Sequence, residues 1–164
     1  MQAFSTFGTD AVIQNIMDAH QDIPFHLFST GHELLLYYEG AYPEVFNGGQ
    51  TYEVKGHVGP IPAKGFIVIQ HFSILEDHYT IFEKHAKRDI EPIQQMNGFL
   101  ASRILQRIHE RGYVIMTIWK DASAYQNGLS SKKLTENLIS STESYQPIIN
   151  HTFTKYYHIV EEEK

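Results

Sequence analysis

Up to about residue 62 apolar positions alternate with polar ones; beyond it they gather into longer runs and one helical stripe. Residues 2–8 alternate as a short strand. Thr9 and Asp10 then offer an N-cap to a helix carrying Val12, Ile13, Ile16, Met17 and His20, because a side-chain oxygen there satisfies the first free amides. Stretches 24–30 and 33–39 read as two strands turned at Gly31, and Asn47-Gly48-Gly49 is a turn leading into a strand over 51–58. The next segment, Gly59-Pro60-Ile61-Pro62-Ala63-Lys64-Gly65, interrupts any regular element with its prolines and glycines and reads as a linker. It divides an N-terminal α/β extension, 1–62, from a second region, 65–160.

That second region begins with an apolar strand over 66–74. Leu75, Tyr79, Phe82, Ala86, Ile90 and Ile93 then recur at helical spacing, a stripe suited to packing on a sheet. Pro92 ends or bends this helix, and Asn97-Gly98 starts the next strand. Strands over 99–106 and 113–119 flank a hairpin loop at Glu110-Arg111-Gly112. After Trp119 the pattern turns helical, with Ala122, Tyr125, Leu129, Leu134 and Leu138 expected to be buried. A last strand over 151–160 sets Phe153, Lys155, Tyr157 and Ile159 on one face. The tyrosine pairs Tyr37-Tyr38 and Tyr156-Tyr157 should each split one ring in and one out. The order is α+β: a ferredoxin-like βαββαβ unit behind an α/β extension. One apolar sheet face without an obvious cover implies a symmetric partner, hence a homodimer. No internal repeat is visible.

Composition narrows the function classes. The chain has 164 residues, 42% of them apolar, and a net charge of −6, which argues against nucleic acid because phosphate neutralisation needs clustered Lys and Arg. Cysteine is absent, so disulfides, thiolate nucleophiles and zinc–sulfur sites are excluded. The N-terminus lacks the basic and apolar regions of a signal peptide, and no apolar run is long enough to span a bilayer, so a cytoplasmic protein without a membrane partner is expected. No phosphate loop, nucleophile elbow, dinucleotide fingerprint or HExxH motif occurs. His78 and His85 lie seven apart on the long helix among charges and read as solvent-side residues; no metal site is expected. Trp119 reads as a core anchor.

The run GYVIMTIWKDASAY at 112–125, preceded by Asn97-Gly98-Phe99 and by FIVIQHFSI at 66–74 before a long helix, resembles the antibiotic biosynthesis monooxygenase (ABM) family. The Glu76-Asp77-His78 triplet followed by Phe82-Glu83-Lys84, with the N-terminal extension, looks most like two groups within it. One comprises haem-degrading monooxygenases, the other staphylococcal signal-transduction proteins. The resemblance implies a dimeric α/β barrel with its helices outside. In haem-degrading members it further implies haem held between sheet and helices by an axial histidine, with a first-strand asparagine and a supporting tryptophan. Matched through the motifs, the asparagine falls at Gln70, the tryptophan at Gly128 and the axial histidine at Leu138. Leucine cannot ligate iron, whereas Gln70 keeps an amide that can donate. His71, next to Gln70, faces the other side of the sheet.

The resemblance thus implies an ABM-type protein similar to haem-degrading monooxygenases but without the haem triad, binding a small hydrophobic or planar ligand. Its pocket would use Gln70, Phe72, Phe82, Gly128, Leu129, Leu134 and Leu138, with Gln70 as the catalytic candidate. The alternatives are a non-catalytic regulatory or binding dimer, or an active haem-degrading or cofactor-free monooxygenase.

Overall fold

The alternating stretches fold as strands in the computed structural model, which describes residues 1–130 and 149–161, with side chains through 128 and from 153 onward. In chain order these are β1 (Gln2–Gly8), α1 (Asp10–Ala19), β2 (His26–Ser29), β3 (Leu34–Glu39), β4 (Gln50–Val58), β5 (Phe66–Ile74), α2 (Tyr79–Ile93), β6 (Phe99–Arg107), β7 (Tyr113–Trp119), α3 (Ala122–Ser130) and β8 (Ile149–Ile159). Thr9 caps α1, its hydroxyl accepting from the Val12 amide at 3.3 Å. Gly112 closes the β6–β7 hairpin at φ +122°, where a Cβ would collide with the Phe72 carbonyl. Among the described residues no helix is long and apolar enough to cross a membrane.

The second region has the ferredoxin-like order β8-β5-β7-β6, and the N-terminal strands repeat it as β4-β1-β3-β2. Antiparallel pairing of β2 with β8 and of β4 with β6 joins the two sheets into a closed barrel. Both edges of the second sheet are therefore taken by the chain's own first half. The repeat, invisible in the residues, is one of topology. The seams are unequal: β4–β6 aligns from Tyr52↔Arg107 to Val58↔Ser102, while β2–β8 aligns only Phe28↔Ile159 and Ser29↔His158.

Strand alternation then sorts the core into an inside and an outside. Inside the barrel lie Ala3, Phe28, Leu35, Tyr37, Tyr52, Ile67, Ile69, Ala101, Leu105, Met116 and Tyr157. Outside, α1 covers Phe4, Leu36 and Tyr38 through Ile13. The α2 stripe of Phe82, Ala86 and Ile90 packs on Phe72, Ile74, Ile104 and Tyr113. Three local expectations change. Leu75 precedes the helix and is 40% exposed, so the stripe starts at Tyr79. Ala122, at the start of α3, is exposed. Tyr37 and Tyr38 do point to opposite faces, yet both are buried, because the segment after β3 folds over Tyr38. Its hydroxyl donates to the Pro43 carbonyl at 2.7 Å and accepts from the Val45 amide at 3.0 Å.

One end of the interior is closed by charge. Arg103, 3% exposed, meets Glu39 through Nε and Nη2 at 2.8–3.2 Å, and its Nη1 donates to the Val58, Gly59 and Ser102 carbonyls. Tyr37 donates to Glu39 at 2.7 Å. Burial alone would raise the Glu39 carboxyl, but hydrogen bonds from Arg103 and Tyr37 outweigh it and hold it below its ordinary range. Removing one partner of such a pair leaves the other uncompensated, so Glu39→Ala should cost about 3–5 kcal/mol. Replacing both, as in Glu39→Leu with Arg103→Met, should recover most of that loss. Urea unfolding midpoints of the two variants check both outcomes.

Candidate functional site

Along β5 the side chains divide between two possible sites. Val68, Gln70 and Phe72 face outward, under the helices; Ile67, Ile69 and His71 face into the barrel. On the outer face Gln70 is half-buried and sits opposite Ile115 and Thr154 in the two ladders. Phe72 packs on Phe82 with ring centroids 5.1 Å apart, and Phe82 on Tyr113 at 4.9 Å. Tyr113 donates to Glu83 at 2.9 Å; burial and then Glu83 push its phenol far up. Of the expected pocket, Phe72 and Phe82 come together in one packed cluster, with Gln70 beside Phe72 on the strand. Gly128 is buried on α3. Leu134 and Leu138 lie outside the described residues, as does the Leu129 side chain.

This outer face does not fit haem among the described residues. His71, adjacent to Gln70, projects to the opposite side. His78 and His85 are half-buried on and before α2, with His85 Nδ1 hydrogen-bonded to Arg88 at 3.2 Å. Tyr113 is committed to Glu83. No group of three His, Cys, Asp or Glu is arranged to hold a metal among the described residues. Trp119, the expected anchor, is buried, and its Nε1 donates to Thr117 at 3.1 Å.

The inner face encloses a cavity of about 330 Å³. Its walls are Leu35, Ile69, Leu105, Val114 and Met116, and its end toward solvent carries Tyr52, His71, Arg107 and Lys155. Inward positions continue one strand parity: Leu105 then Arg107 on β6, Ile69 then His71 on β5, Tyr157 then Lys155 on β8. The rows on β5 and β6 thus pass from apolar to polar toward the mouth, and on β8 Lys155 lies between Tyr157 and Phe153. Tyr37 separates this cavity from the Arg103–Glu39 end, its ring lining the space and its hydroxyl turned to Glu39.

The two cations at the mouth, Arg107 and Lys155, pair with carboxylates exposed at the rim. Arg107 Nη2 lies 2.8 Å from His71 Nδ1; arginine can only donate, so Nδ1 accepts and the ring carries its proton on Nε2. The His71 ring stacks on Phe153 at 4.3 Å. Burial first, then the Arg107 and Lys155 charges, hold its pKa down at about 4. Arg107 Nη1 reaches Glu110 at 3.3 Å, and Lys155 reaches Glu33 at 3.1 Å while lying 5.2 Å from the Phe7 ring centre. Arg107 Nε is buried and has no hydrogen-bond partner among the described residues. Sequence reasoning assigned His71 to this face but missed Arg107 and Lys155. The signal was the shared parity of the three rows, which converges only once the barrel is closed.

Residues 65–136 match the antibiotic biosynthesis monooxygenase family. The signal transduction protein TRAP of Staphylococcus epidermidis is 23% identical over 137 residues, covering 84% of this chain and 82% of that protein. A heme-degrading monooxygenase of Listeria monocytogenes is 20% identical over 118 residues, covering 72% of this chain and 71% of that protein. Among solved structures, a major regulator of staphylococcal pathogenesis superposes with a TM-score of 0.84 at 17% identity, covering 99% of this chain and all of the other. The chain is thus similar to a signalling protein and to a haem enzyme, and it shares the ferredoxin-like ABM fold.

The neutral imidazole gives a pH signature. His71 titrates near 6.5 when unfolded but at about 4 when folded, so the unfolded chain takes up its proton first as pH falls. The contribution of this site to stability is therefore complete above about pH 6.5 and is lost between there and pH 4. His71→Asn, which keeps an acceptor for Arg107 but cannot titrate, should flatten urea-midpoint profiles in that window. An unchanged slope would contradict the assignment.

Proposed function

We propose that this protein binds a small, largely apolar molecule inside its barrel and does not degrade haem. The observation that carries this is the cavity of about 330 Å³, walled by Leu35, Ile69, Leu105, Val114 and Met116 and open at a polar end. That volume stands at the small end of the usual range for ligand pockets, about 300–1,000 Å³, and an apolar wall with a few convergent polar groups is their common make-up. Against haem chemistry stand Leu138 and Gly128, which occupy the positions where the resemblance expects the axial histidine and the tryptophan. On the outer face Phe72, Phe82 and Tyr113 pack on one another, which favours the interior over the Gln70 face for the ligand. A binding protein of this kind is compatible with a regulatory role such as the name of the staphylococcal relative describes.

Two measurements on the intact protein test this. Hemin titration should give no saturable Soret shift, and adding a reductant should yield no bilin product; a saturable shift with bilin formation would restore the enzyme. Nile red, a neutral apolar dye, should gain fluorescence on binding, and Met116→Trp should abolish the gain by filling the cavity. Undiminished dye binding in that variant would move the ligand site elsewhere.

A further inference from the structure

Resting on the ligand-binding reading above, we infer that the ligand of the barrel cavity is an amphipathic carboxylate, its acid group held by Arg107 at the mouth and its apolar chain lying between Leu105 and Met116. Two arginines on one strand meet different surroundings. Arg103 and Arg107 both point into the barrel from β6, four residues apart. Arg103 is satisfied at every nitrogen by a buried carboxylate and backbone carbonyls. Arg107, whose side chain is only 16% exposed, has no equivalent. Its one carboxylate partner among the described residues, Glu110, is 56% exposed at the rim. Its other partner is His71, a neutral acceptor that cancels none of its charge.

The remaining donor, Arg107 Nε, is buried with nothing to donate to among the described residues. A buried donor left unmade costs about 1–3 kcal/mol, more when it is charged, so such a group marks a place where an acceptor belongs. Guanidinium presents Nε and an Nη as a fork that matches a carboxylate in bidentate fashion. Lys155 adds a second cation at the same mouth. Its own partner, Glu33, is 39% exposed, and pairs of that kind hold weakly enough to yield to a better-buried anion.

Behind the mouth the described wall residues carry no further charge. Leu105 leads inward from Arg107 on β6, and Val114 and Met116 on β7 continue the apolar surface. Other polar groups of the interior are already paired: Ser5 with Tyr52 at 3.0 Å, and Tyr37 with Glu39. A neutral apolar ligand would leave Arg107 Nε unsatisfied, and a cation would meet Arg107 and Lys155. An anion with a short hydrocarbon body answers both ends of the space. A carboxylate on the Nε–Nη2 side leaves Glu110 on Nη1, where its negative charge opposes the incoming anion, and competes with Glu33 for Lys155.

Displacement of Nile red from the intact protein by octanoate, 1-octanol and octylammonium reads the headgroup directly. Octanoate should displace the dye saturably, 1-octanol about ten- to hundredfold more weakly, as charged hydrogen bonds worth about 1.5–3 kcal/mol require, and octylammonium not measurably. Arg107→Met should lower octanoate to the level of 1-octanol and leave 1-octanol unchanged. Glu110→Gln, a rim change that spares the core, should tighten octanoate severalfold by removing a negative charge beside the guanidinium. Equal displacement by octanoate and 1-octanol, or no effect of Glu110→Gln, would overturn the carboxylate assignment while leaving the cavity as a ligand site. Failure of all three compounds and of the dye itself would overturn the ligand-binding reading.

Discussion

The pairing of β4 with β6 is the constraint on which the rest of this molecule depends. A sheet edge presents unpaired amides and carbonyls, and a four-stranded ferredoxin-like sheet has two such edges. Here β6 and β8 would be exposed if the N-terminal strands did not cover them. By supplying β4 and β2, the first half of the chain turns two open sheets into one closed wall. Closure makes the interior: without it His71, Arg107 and Lys155 would line the face of an open sheet. The bulge between Val54 and Gly56 lets β4 bend into place along β6.

Closure also explains why the two ends of the interior differ. A barrel of this size is filled by side chains, and any gap must be tolerated by its walls. At one end Arg103, Glu39 and Tyr37 fill the space with a saturated polar network, where every donor has an acceptor. At the other end the polar side chains stand back from the centre and a cavity remains. One strand, β6, supplies an arginine to each end, so the same residue type is structural in one place and available in the other. What separates the two roles is how deeply each arginine's carboxylate is buried: Glu39 is enclosed beside Arg103, whereas Glu110 stands exposed at the rim.

Much of the architecture was legible in the sequence, because it is written in local rules. Alternation located the strands, Thr9 marked the start of α1, and the Gly59-to-Gly65 linker falls between β4 and β5. The parity rule correctly turned His71 away from Gln70. What it could not convey was register. His71 meets Arg107 across 36 residues only because β5 and β6 both pair with β7, a fact set by strand pairing and not by spacing. The internal repetition was hidden for the same reason: equivalent strands share order and direction but not side chains. Tyr38 was misjudged because its cover is the irregular segment after β3, which no periodicity announces. The outer-face expectation rests partly on Leu134 and Leu138, outside the described residues.

The inequality of the two seams has a dynamic consequence. Along β4–β6 the ladder runs for most of both strands, whereas β2 meets β8 over Phe28 and Ser29, with one further bond from the Val160 amide to the Leu27 carbonyl. Opening free energies within a protein scale with the bonds and buried surface that a local rupture gives up. The wall therefore parts most cheaply between β2 and β8, so breathing of the barrel is hinged rather than uniform. The long seam acts as the spine, and the short one as the clasp.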